Sequence, residues 1–202
     1  MMLFFIKLTN PPKFWIERDS SWIEGWKDHN DHFMPGATLT SPSHWNPPTE
    51  GILKINVDAS LPKDGLVALS LLARNHLGKI FAAKYDPHQA FWEPAVIEVM
   101  AILAGLSLAL ECGWSDIIVE SDCLTVIDAI NHNDGGLQPF GIIIRRILSL
   151  GKCFSSCTFS FTKKEGNNAS HQLAASGPFD STQLWLDNFP SWLCTCTSAD
   201  IR

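Results

Sequence analysis

Three strand-like segments follow one another at the start of the patterned part of this chain, before any helix-like segment. Residues 52–58 alternate apolar and polar side chains, as a half-exposed strand does. Residues 66–73 are almost all apolar, which is typical of a central strand, and residues 79–85 follow a cluster of turn residues. Strands joined by short turns pair as antiparallel neighbours, so this order predicts a sheet that begins as a meander.

Helical and strand-like patterns alternate in the second half of the chain. Glu93 and Pro94 begin a long helical pattern that ends at Gly113. The patterns then predict a strand at residues 116–121, helices at 124–130 and 142–150, a strand at 158–162 and a last helix at 167–175. Strands separated by helices usually pair in parallel, so the predicted fold class is mixed α/β, with helices covering a mixed sheet.

The patterned region is long enough for one domain. The 202 residues accommodate a domain of about 130–150 residues with tails. Residues 1–44 have no regular period and are predicted to form an irregular, poorly ordered leader, residues 45–176 the domain, and residues 177–202 an aromatic tail. Trp185 and Trp192 in the tail favour packing against the domain, with a peptide-binding or base-stacking surface as the alternative.

Charge and composition limit the partners of this chain. A formal net charge of −6 argues against tight, general nucleic-acid binding, which depends on Lys and Arg, but metal ions held by acidic residues still attract phosphates. No apolar run approaches the roughly 20 residues of a membrane span, so no membrane partner is expected. The six cysteines show neither disulfide-scaffold density nor zinc-site spacing. A monomer located in the cytoplasm or nucleus is therefore expected.

Three acidic residues stand where predicted elements end or meet. Asp58 closes the first strand, Glu98 lies one turn into the long helix, and Asp122 follows the fourth strand. Glu98 shares its helix face with small residues that pack on the sheet, so its charge needs a partner. Each residue alone also fits a plainer role: Asp58 as a turn former, Glu98 as a surface residue and Asp122 as a helix cap.

The three carboxylates together suit one kind of chemistry. Mg²⁺ prefers hard oxygen ligands, which carboxylates supply. Phosphodiester cleavage uses such clusters, because two metal ions about 4 Å apart activate the attacking water and stabilise the leaving oxygen. The acidic residues therefore favour a metal-dependent nuclease.

A series of short motifs runs in order over about residues 45–176. The motifs are Trp45-Asn46-Pro47-Pro48, the run from Gly51 to Ser60, Ala73-Arg74-Asn75 with Gly78, Glu98 with Ala101 and Gly105-Leu106, Val119-Glu120-Ser121-Asp122, Lys164-Glu165-Gly166-Asn167, and His171-Gln172-Leu173-Ala174. In these motifs the chain resembles the plant ribonuclease H-like domain of the reverse-transcriptase-associated type. The resemblance implies a ribonuclease H-like fold, with a five-stranded mixed sheet, its first three strands antiparallel, and helices on both faces.

The same resemblance implies an activity and a set of site residues. The activity is endonucleolytic cleavage of RNA in an RNA–DNA hybrid with Mg²⁺, or alternatively Mn²⁺. Asp58 would bridge both metal ions, Glu98 and Asp122 would hold the metal on the leaving-group side, and His171 would complete the catalytic set. The implied partner is an RNA–DNA hybrid or another nucleic acid, recognised by shape, 2′-hydroxyls and phosphates rather than by sequence.

Basic and amide side chains are candidates for contacts with that nucleic acid. The predicted contacts are Arg74, Asn75, Lys163, Lys164 and Asn167, with Lys152 as a further phosphate contact. For the basic residues, ordinary solvated surface charge is the alternative.

The chain departs from the active pattern of the family at two places. His171 stands where that pattern has a fourth acidic residue, and neutral imidazole adds no negative charge and suits Mg²⁺ poorly. The metal beside the attacking water would then be held less well. Alternatively, His171 packs on the sheet or bonds to a neighbouring carboxylate. Residues 66–70 are bulkier than the glycines common in relatives, and we expect them to obstruct the minor groove.

Three hypotheses for the function follow. The first is a metal-dependent ribonuclease acting on RNA–DNA hybrids. The second is a non-catalytic nucleic-acid or protein interaction module that kept the fold, as His171 and the bulky second strand suggest. The third is a fragment derived from a retroelement polyprotein.

Overall fold

A computed structural model describes the protein over residues 44–61, 65–134, 140–176 and 181–200. The strands are β1 (Leu53–Ser60), β2 (Leu66–Arg74), β3 (Ile80–Gln89), β4 (Asp116–Ser121), β5 (Ser156–Phe161) and β6 (Gln183–Trp185). The helices are α1 (Pro94–Glu111), α2 (Leu124–Asn131), α3 (Gly141–Gly151), α4 (Asn168–Ser176) and α5 (Ser191–Asp200), with a 3₁₀ turn at Lys164–Asn167 before α4. Residues 1–43 of the predicted leader lie outside the described residues, so the leader stays a prediction.

The strands form one mixed sheet in the order β5-β4-β1-β2-β3-β6. β1, β2 and β3 pair as the predicted antiparallel meander. β4 pairs with β1 in parallel and β5 pairs with β4 in parallel. The predicted fold class is confirmed, but the sheet has six strands rather than five, because β6 adds an antiparallel edge to β3.

Helices cover both faces of the sheet. Alternate residues of β2 enter different cores: Leu69 and Leu71 pack in the cluster with α1, and Ala68 and Leu72 pack in the cluster with α4 and α5. Because neighbouring side chains of a strand point to opposite faces, the two clusters lie on opposite sides of the sheet. The central strands are therefore buried on both faces.

The long helix α1 begins and ends where the sequence predicts. Pro94 occupies its first turn, and Gly113, two residues beyond its end, has a φ of 71° that favours glycine. Among the described residues it is long and apolar enough to cross a membrane, with a mean hydropathy of 1.8. Most of α1 is buried against the sheet, so its apolar character belongs to the core.

The C-terminal tail packs on the face of the sheet opposite α1. Leu193 of α5 is buried, and Trp185, Phe189 and Trp192 pack partly buried against the same cluster as Leu173 of α4. The predicted division at residue 176 stays a prediction, but the sheet continues to Trp185 and the hydrophobic core includes Leu193 of α5. The aromatic side chains of the tail thus contribute to the fold.

Candidate metal centre

Three carboxylates meet at one end of the sheet. Asp58 lies near the end of β1, Asp122 directly after β4, and Glu98 in the second turn of α1, which packs over both strands. Because β1 and β4 are parallel neighbours, their C-terminal ends lie side by side. One oxygen of each carboxylate lies within 4.8 Å of the others. The predicted metal-ligating residues are thus brought together.

Burial makes this cluster electrostatically costly without a cation. Asp58 is 3% exposed, and burial, followed by the charge of Asp122, raises its pKa to about 6. Burial, followed by the charges of Asp58 and Asp122, raises the pKa of Glu98 to about 9. Among the described residues, no group hydrogen-bonds the buried Oε2 atom of Glu98. Oxygen ligands and an unsatisfied buried carboxylate oxygen fit a divalent cation such as Mg²⁺ or Mn²⁺.

His171 lies at the edge of the same cluster. Its Nδ1 is 2.9 Å from Oδ2 of Asp58, and its side chain is 32% exposed. A carboxylate accepts hydrogen bonds but donates none, so Nδ1–H of the imidazole donates to ionised Asp58. This hydrogen bond lowers the pKa of Asp58 against the larger effect of burial. Of the alternatives left open by the sequence, the structure shows a bond to the neighbouring carboxylate.

Buried hydrogen bonds fix the start of α4 against the sheet. Ser170 Oγ donates to the carbonyl of Asn56, and Ser70 Oγ donates to the carbonyl of Ser170. Asn167 Nδ2 donates to the carbonyl of Val57 at 2.8 Å. These bonds hold the backbone that leads into His171, so the histidine is placed beside Asp58 by the fold. Sequence reasoning missed Ser70, whose signal was a hydroxyl within an otherwise apolar strand, and Ser170, which no pattern distinguished from its polar neighbours.

Two residues predicted to contact nucleic acid are instead structural. Arg74 is fully buried: its guanidinium bonds Asp200 and Asn56, each at 3.0 Å, and lies 3.9 Å from the ring centroid of Trp45. Asn167 is also fully buried, and its Nδ2 lies 3.3 Å from Oδ1 of Asp122. The prediction of phosphate contacts at these positions is wrong, because neither side chain reaches solvent.

The remaining predicted contacts lie at or near the surface. The side-chain oxygen of Asn75 accepts hydrogen bonds from the N–H groups of Leu77 and Lys79, so it closes the β2–β3 turn. Lys163 and Lys164 are exposed at the start of the 3₁₀ turn that precedes α4. Their contacts with nucleic acid, and that of the exposed Lys152, stay predictions.

The prediction that the second strand obstructs a nucleic-acid groove is wrong for most of that strand. Residues 67–70 are all buried: Val67 and Leu69 in one hydrophobic cluster, Ala68 in the other, and Ser70 against Ser170 of α4. Leu66, which is 38% exposed, is the exception. The bulky side chains therefore fill the two hydrophobic clusters and leave the surface to other residues.

A buried polar network was not expected from the sequence. Lys54 Nζ is 2.6 Å from Glu120, which also accepts a hydrogen bond from Asn56, and Asn56 bonds Arg74. In the sequence, Lys54, Asn56 and Asp58 form the polar side of an alternating strand, which predicted a half-exposed β1. Helix α4 packs against β1, and these polar groups are buried and satisfy one another.

The sequence and structure are similar to known proteins. The sequence model described as reverse transcriptase-like matches residues 56–177. No curated protein matches the chain.

Solved ribonuclease H structures share the fold. RNase H1 from Halobacterium salinarum has a TM-score of 0.54 at 18% identity, over 62% of this chain and 98% of that one. An N-terminal RNase H domain from Mycobacterium tuberculosis has a TM-score of 0.52 at 16% identity, over 63% and 99%. LC11-RNase H1, isolated from compost and solved with an RNA/DNA hybrid, has a TM-score of 0.55 at 12% identity, over 61% and 94%. At these identities the similarity concerns the fold.

Proposed function

The chain belongs to the reverse transcriptase-like family, and on that premise we propose that it is an endonuclease that hydrolyses RNA in RNA–DNA hybrids. One observation carries the proposal: Asp58, Glu98 and Asp122, from three different elements, converge at one end of a ribonuclease H-like sheet. LC11-RNase H1, which has this fold, was solved with an RNA/DNA hybrid.

The proposed reaction is metal-assisted hydrolysis of a phosphodiester. Asp58, Glu98 and Asp122 would hold Mg²⁺ or Mn²⁺. Bound there, the metal would supply activation of the attacking water and stabilisation of the leaving oxygen. Burial of Asp58 keeps bulk water away from its carboxylate, and the hydrogen bond from Asn167 orients Asp122. These contacts fix the ligand oxygens before substrate arrives, which favours catalysis.

Exposed cations near α4 support binding of a nucleic-acid backbone. Lys163 and Lys164 precede the helix that carries His171, and both are exposed. We propose that they contact phosphates beside the metal centre, with Asn75 as a more distant contact. Recognition of 2′-hydroxyls and helix shape would then select a hybrid without reading its sequence.

A cleavage assay with a panel of duplexes tests the proposal. The purified full chain is incubated with Mg²⁺ and an RNA–DNA hybrid, an RNA duplex or a DNA duplex, each with one labelled strand. We expect internal cuts in the RNA of the hybrid and intact strands in both other duplexes. Asp58→Asn should lower the cleavage rate about a thousandfold, which corresponds to about 4 kcal/mol of transition-state stabilisation.

Asp134→Asn is the matched control, because Asp134 is exposed and lies beyond the end of α2, outside the carboxylate cluster. It should cleave the hybrid at the wild-type rate. Cleavage by wild type that persists unchanged in Asp58→Asn would point to a contaminating nuclease. Absence of cleavage with both Mg²⁺ and Mn²⁺ would contradict the enzymatic proposal.

The hydrogen bond between His171 and Asp58 favours a second candidate function. It engages a carboxylate oxygen that the proposed metal ions require. A non-catalytic nucleic-acid or protein interaction module, including one derived from a retroelement polyprotein, would keep the fold without turnover. Hybrid binding with no cleavage in the same assay would support this candidate.

The proposed setting is intracellular, in the nucleus or cytoplasm. All six cysteines are free thiols in the structure, as is usual in a reducing compartment. A monomeric state remains a prediction, which sedimentation of the purified chain would test.

A further inference from the structure

The carboxylate of Asp58 lies in the acidic cluster and also accepts a hydrogen bond from His171. One of its oxygens lies in the cluster with Glu98 and Asp122, and its Oδ2 accepts the hydrogen bond from His171 Nδ1 at 2.9 Å. A carboxylate that bridges two metal ions must offer an oxygen to each of them. In this chain the imidazole already lies against Oδ2. A second ion beside Asp58 therefore has to compete with His171.

The fold does not let His171 withdraw easily. Ser170, the preceding residue, is fully buried and bonds the carbonyl of Asn56 at 3.1 Å. Ser70 bonds the carbonyl of Ser170 at 2.8 Å. Asn167, one turn earlier, is pinned to the carbonyl of Val57. The backbone that carries His171 is thus held to β1 and β2, and the imidazole leaves Asp58 only by rotation of its own side chain.

The charges at the site also favour a single ion. Asp58, Glu98 and Asp122 supply at most three negative charges, whereas two divalent cations carry four positive charges. A neutral imidazole adds none, and a protonated one adds a positive charge. A fourth carboxylate at position 171 would balance two divalent ions. The histidine leaves one positive charge in excess, close to a partly buried site where solvent screens it poorly.

We propose that His171 limits this centre to one tightly bound divalent cation, so that a second ion binds only after the hydrogen bond between His171 and Asp58 breaks. This inference rests on the proposed metal centre and specifies how this chain fills it. The single tight site is the one formed by Asp58, Glu98 and Asp122. The second site is weak and becomes occupied at high metal concentration.

Binding of Mn²⁺ alone, without nucleic acid, tests the inference. Isothermal titration of the full wild-type chain should give one Mn²⁺ per chain. His171→Asp should give two, with the second bound about tenfold more tightly than in wild type, or better. Gln172→Asp is the matched control, because it adds the same charge at the adjacent exposed position and should leave one site. Two equally tight sites in wild type, or one site in His171→Asp, would overturn the inference.

Electron paramagnetic resonance of Mn²⁺ gives a second measurement that does not depend on the variant folding. Wild type with two equivalents of Mn²⁺ should show an isolated ion and free Mn²⁺. A spin-coupled pair in wild type would show two ions side by side and exclude a single tight site.

The outcomes separate this inference from the proposed function. One tightly bound Mn²⁺ without hybrid cleavage would contradict the proposed nuclease activity and support the inference. Two tightly bound Mn²⁺ ions with hybrid cleavage would support the nuclease activity and overturn the inference. No Mn²⁺ binding by wild type would contradict both.

Discussion

Glu98 has a carboxyl group whose ionisation the fold opposes. Burial, followed by the charges of Asp58 and Asp122, raises its pKa to about 9 from an ordinary value of 4.5. A carboxyl with a raised pKa stabilises the folded state below its ordinary pKa, and this stabilisation is lost as the pH rises through the folded-state value. We therefore expect the metal-free protein to lose stability progressively between about pH 5 and pH 9.

Thermal unfolding in EDTA at a series of pH values measures this effect. Addition of Mg²⁺ should reduce the loss at high pH, because the cation favours the ionised carboxyl groups. Glu98→Gln in EDTA should show a shallower decline, since it lacks the group that titrates. An equally steep decline in Glu98→Gln would show that Glu98 is not its source.

Arg74 and Asp200 form a buried ion pair that is separate from the carboxylate cluster. Their side chains are 0% and 5% exposed, with 3.0 Å between Nη1 and Oδ2. Asp200→Ala would leave the Arg74 charge buried without its counter-charge, so we expect a loss of about 3–5 kcal/mol in the free energy of unfolding. Urea unfolding followed by circular dichroism measures the change.

Two further variants isolate the ion pair. Asp187→Ala removes an exposed carboxylate from the same tail and should change the unfolding free energy by less than about 0.5 kcal/mol. The double variant Arg74→Met with Asp200→Leu should recover much of the stability lost in Asp200→Ala. If Asp200→Ala and Asp187→Ala had the same free energy of unfolding, this would contradict the buried ion pair.

The acidic residues were predictable because each has a position that the sequence shows. Asp58 lies near the end of β1, Asp122 directly follows β4, and Glu98 lies on the packed face of a well-bounded helix. Arg74 and Asn167 were assigned wrongly to the surface. A polar side chain at a strand end or in a loop is predicted to be exposed unless the element that covers it is known. Arg74 is partly covered by α5, whose Asp200 lies 126 residues away in the sequence.

The packing of α1 on the sheet depends on one small residue. A Cβ atom at Gly105 would lie 3.1 Å from Cγ1 of Val57 and 3.5 Å from Cγ2 of Ile55. Gly105→Val adds branched atoms beyond that Cβ, so α1 would be pushed off β1. We expect a loss of about 1–3 kcal/mol in the free energy of unfolding, measured by urea denaturation.

Glu111→Val is the control for helix propensity alone, because Glu111 is exposed at the end of the same helix. It should cost a few tenths of a kcal/mol, roughly the propensity difference. Equal losses in the two variants would indicate that steric contact with β1 is not the cause. Since α1 carries Glu98, Gly105→Val should also weaken Mn²⁺ binding.

Elements with strong local signals were predicted to within a few residues. β4 has the predicted bounds, and α1 begins at the predicted proline. The sequence also predicted that Asp122 or Ser121 caps α2. The N-cap residue is Cys123, without a side-chain cap hydrogen bond, and Ser121 Oγ accepts a hydrogen bond from the Cys123 N–H. β6 was missed because three residues are too short to show a period, and its pairing with β3 is decided by tertiary contact.

The domain as a whole extends beyond the region matched by the family. The match ends at residue 177, but β6 and α5 complete the sheet edge and the second hydrophobic cluster. A chain ending at residue 180 would expose Leu72 and Leu173 and leave Arg74 unpaired. We expect it to unfold at a much lower urea concentration than the full chain, or without a cooperative transition.

A chain ending at Asp200 is the control for this truncation, because it keeps β6, α5 and the ion pair. It should unfold at nearly the same urea concentration as the full chain. If the chain ending at residue 180 unfolded at the same urea concentration as this control, the tail would not belong to the folding unit.

The alternating pattern of β1 predicted a strand and so helped to predict the fold class. It did not predict that the polar side of β1 is buried, because alternation alone does not show which element covers that side.

The rate of RNA cleavage in an RNA–DNA hybrid, followed as Mg²⁺ is raised, tests most directly the proposal that Asp58, Glu98 and Asp122 hold catalytic metal. Wild type and Glu98→Gln are measured side by side. The wild-type rate should rise with Mg²⁺, and Glu98→Gln should be slower by about a thousandfold throughout. Equal rates for the two proteins, or no cleavage by wild type at any Mg²⁺ concentration, would contradict a catalytic role for this centre.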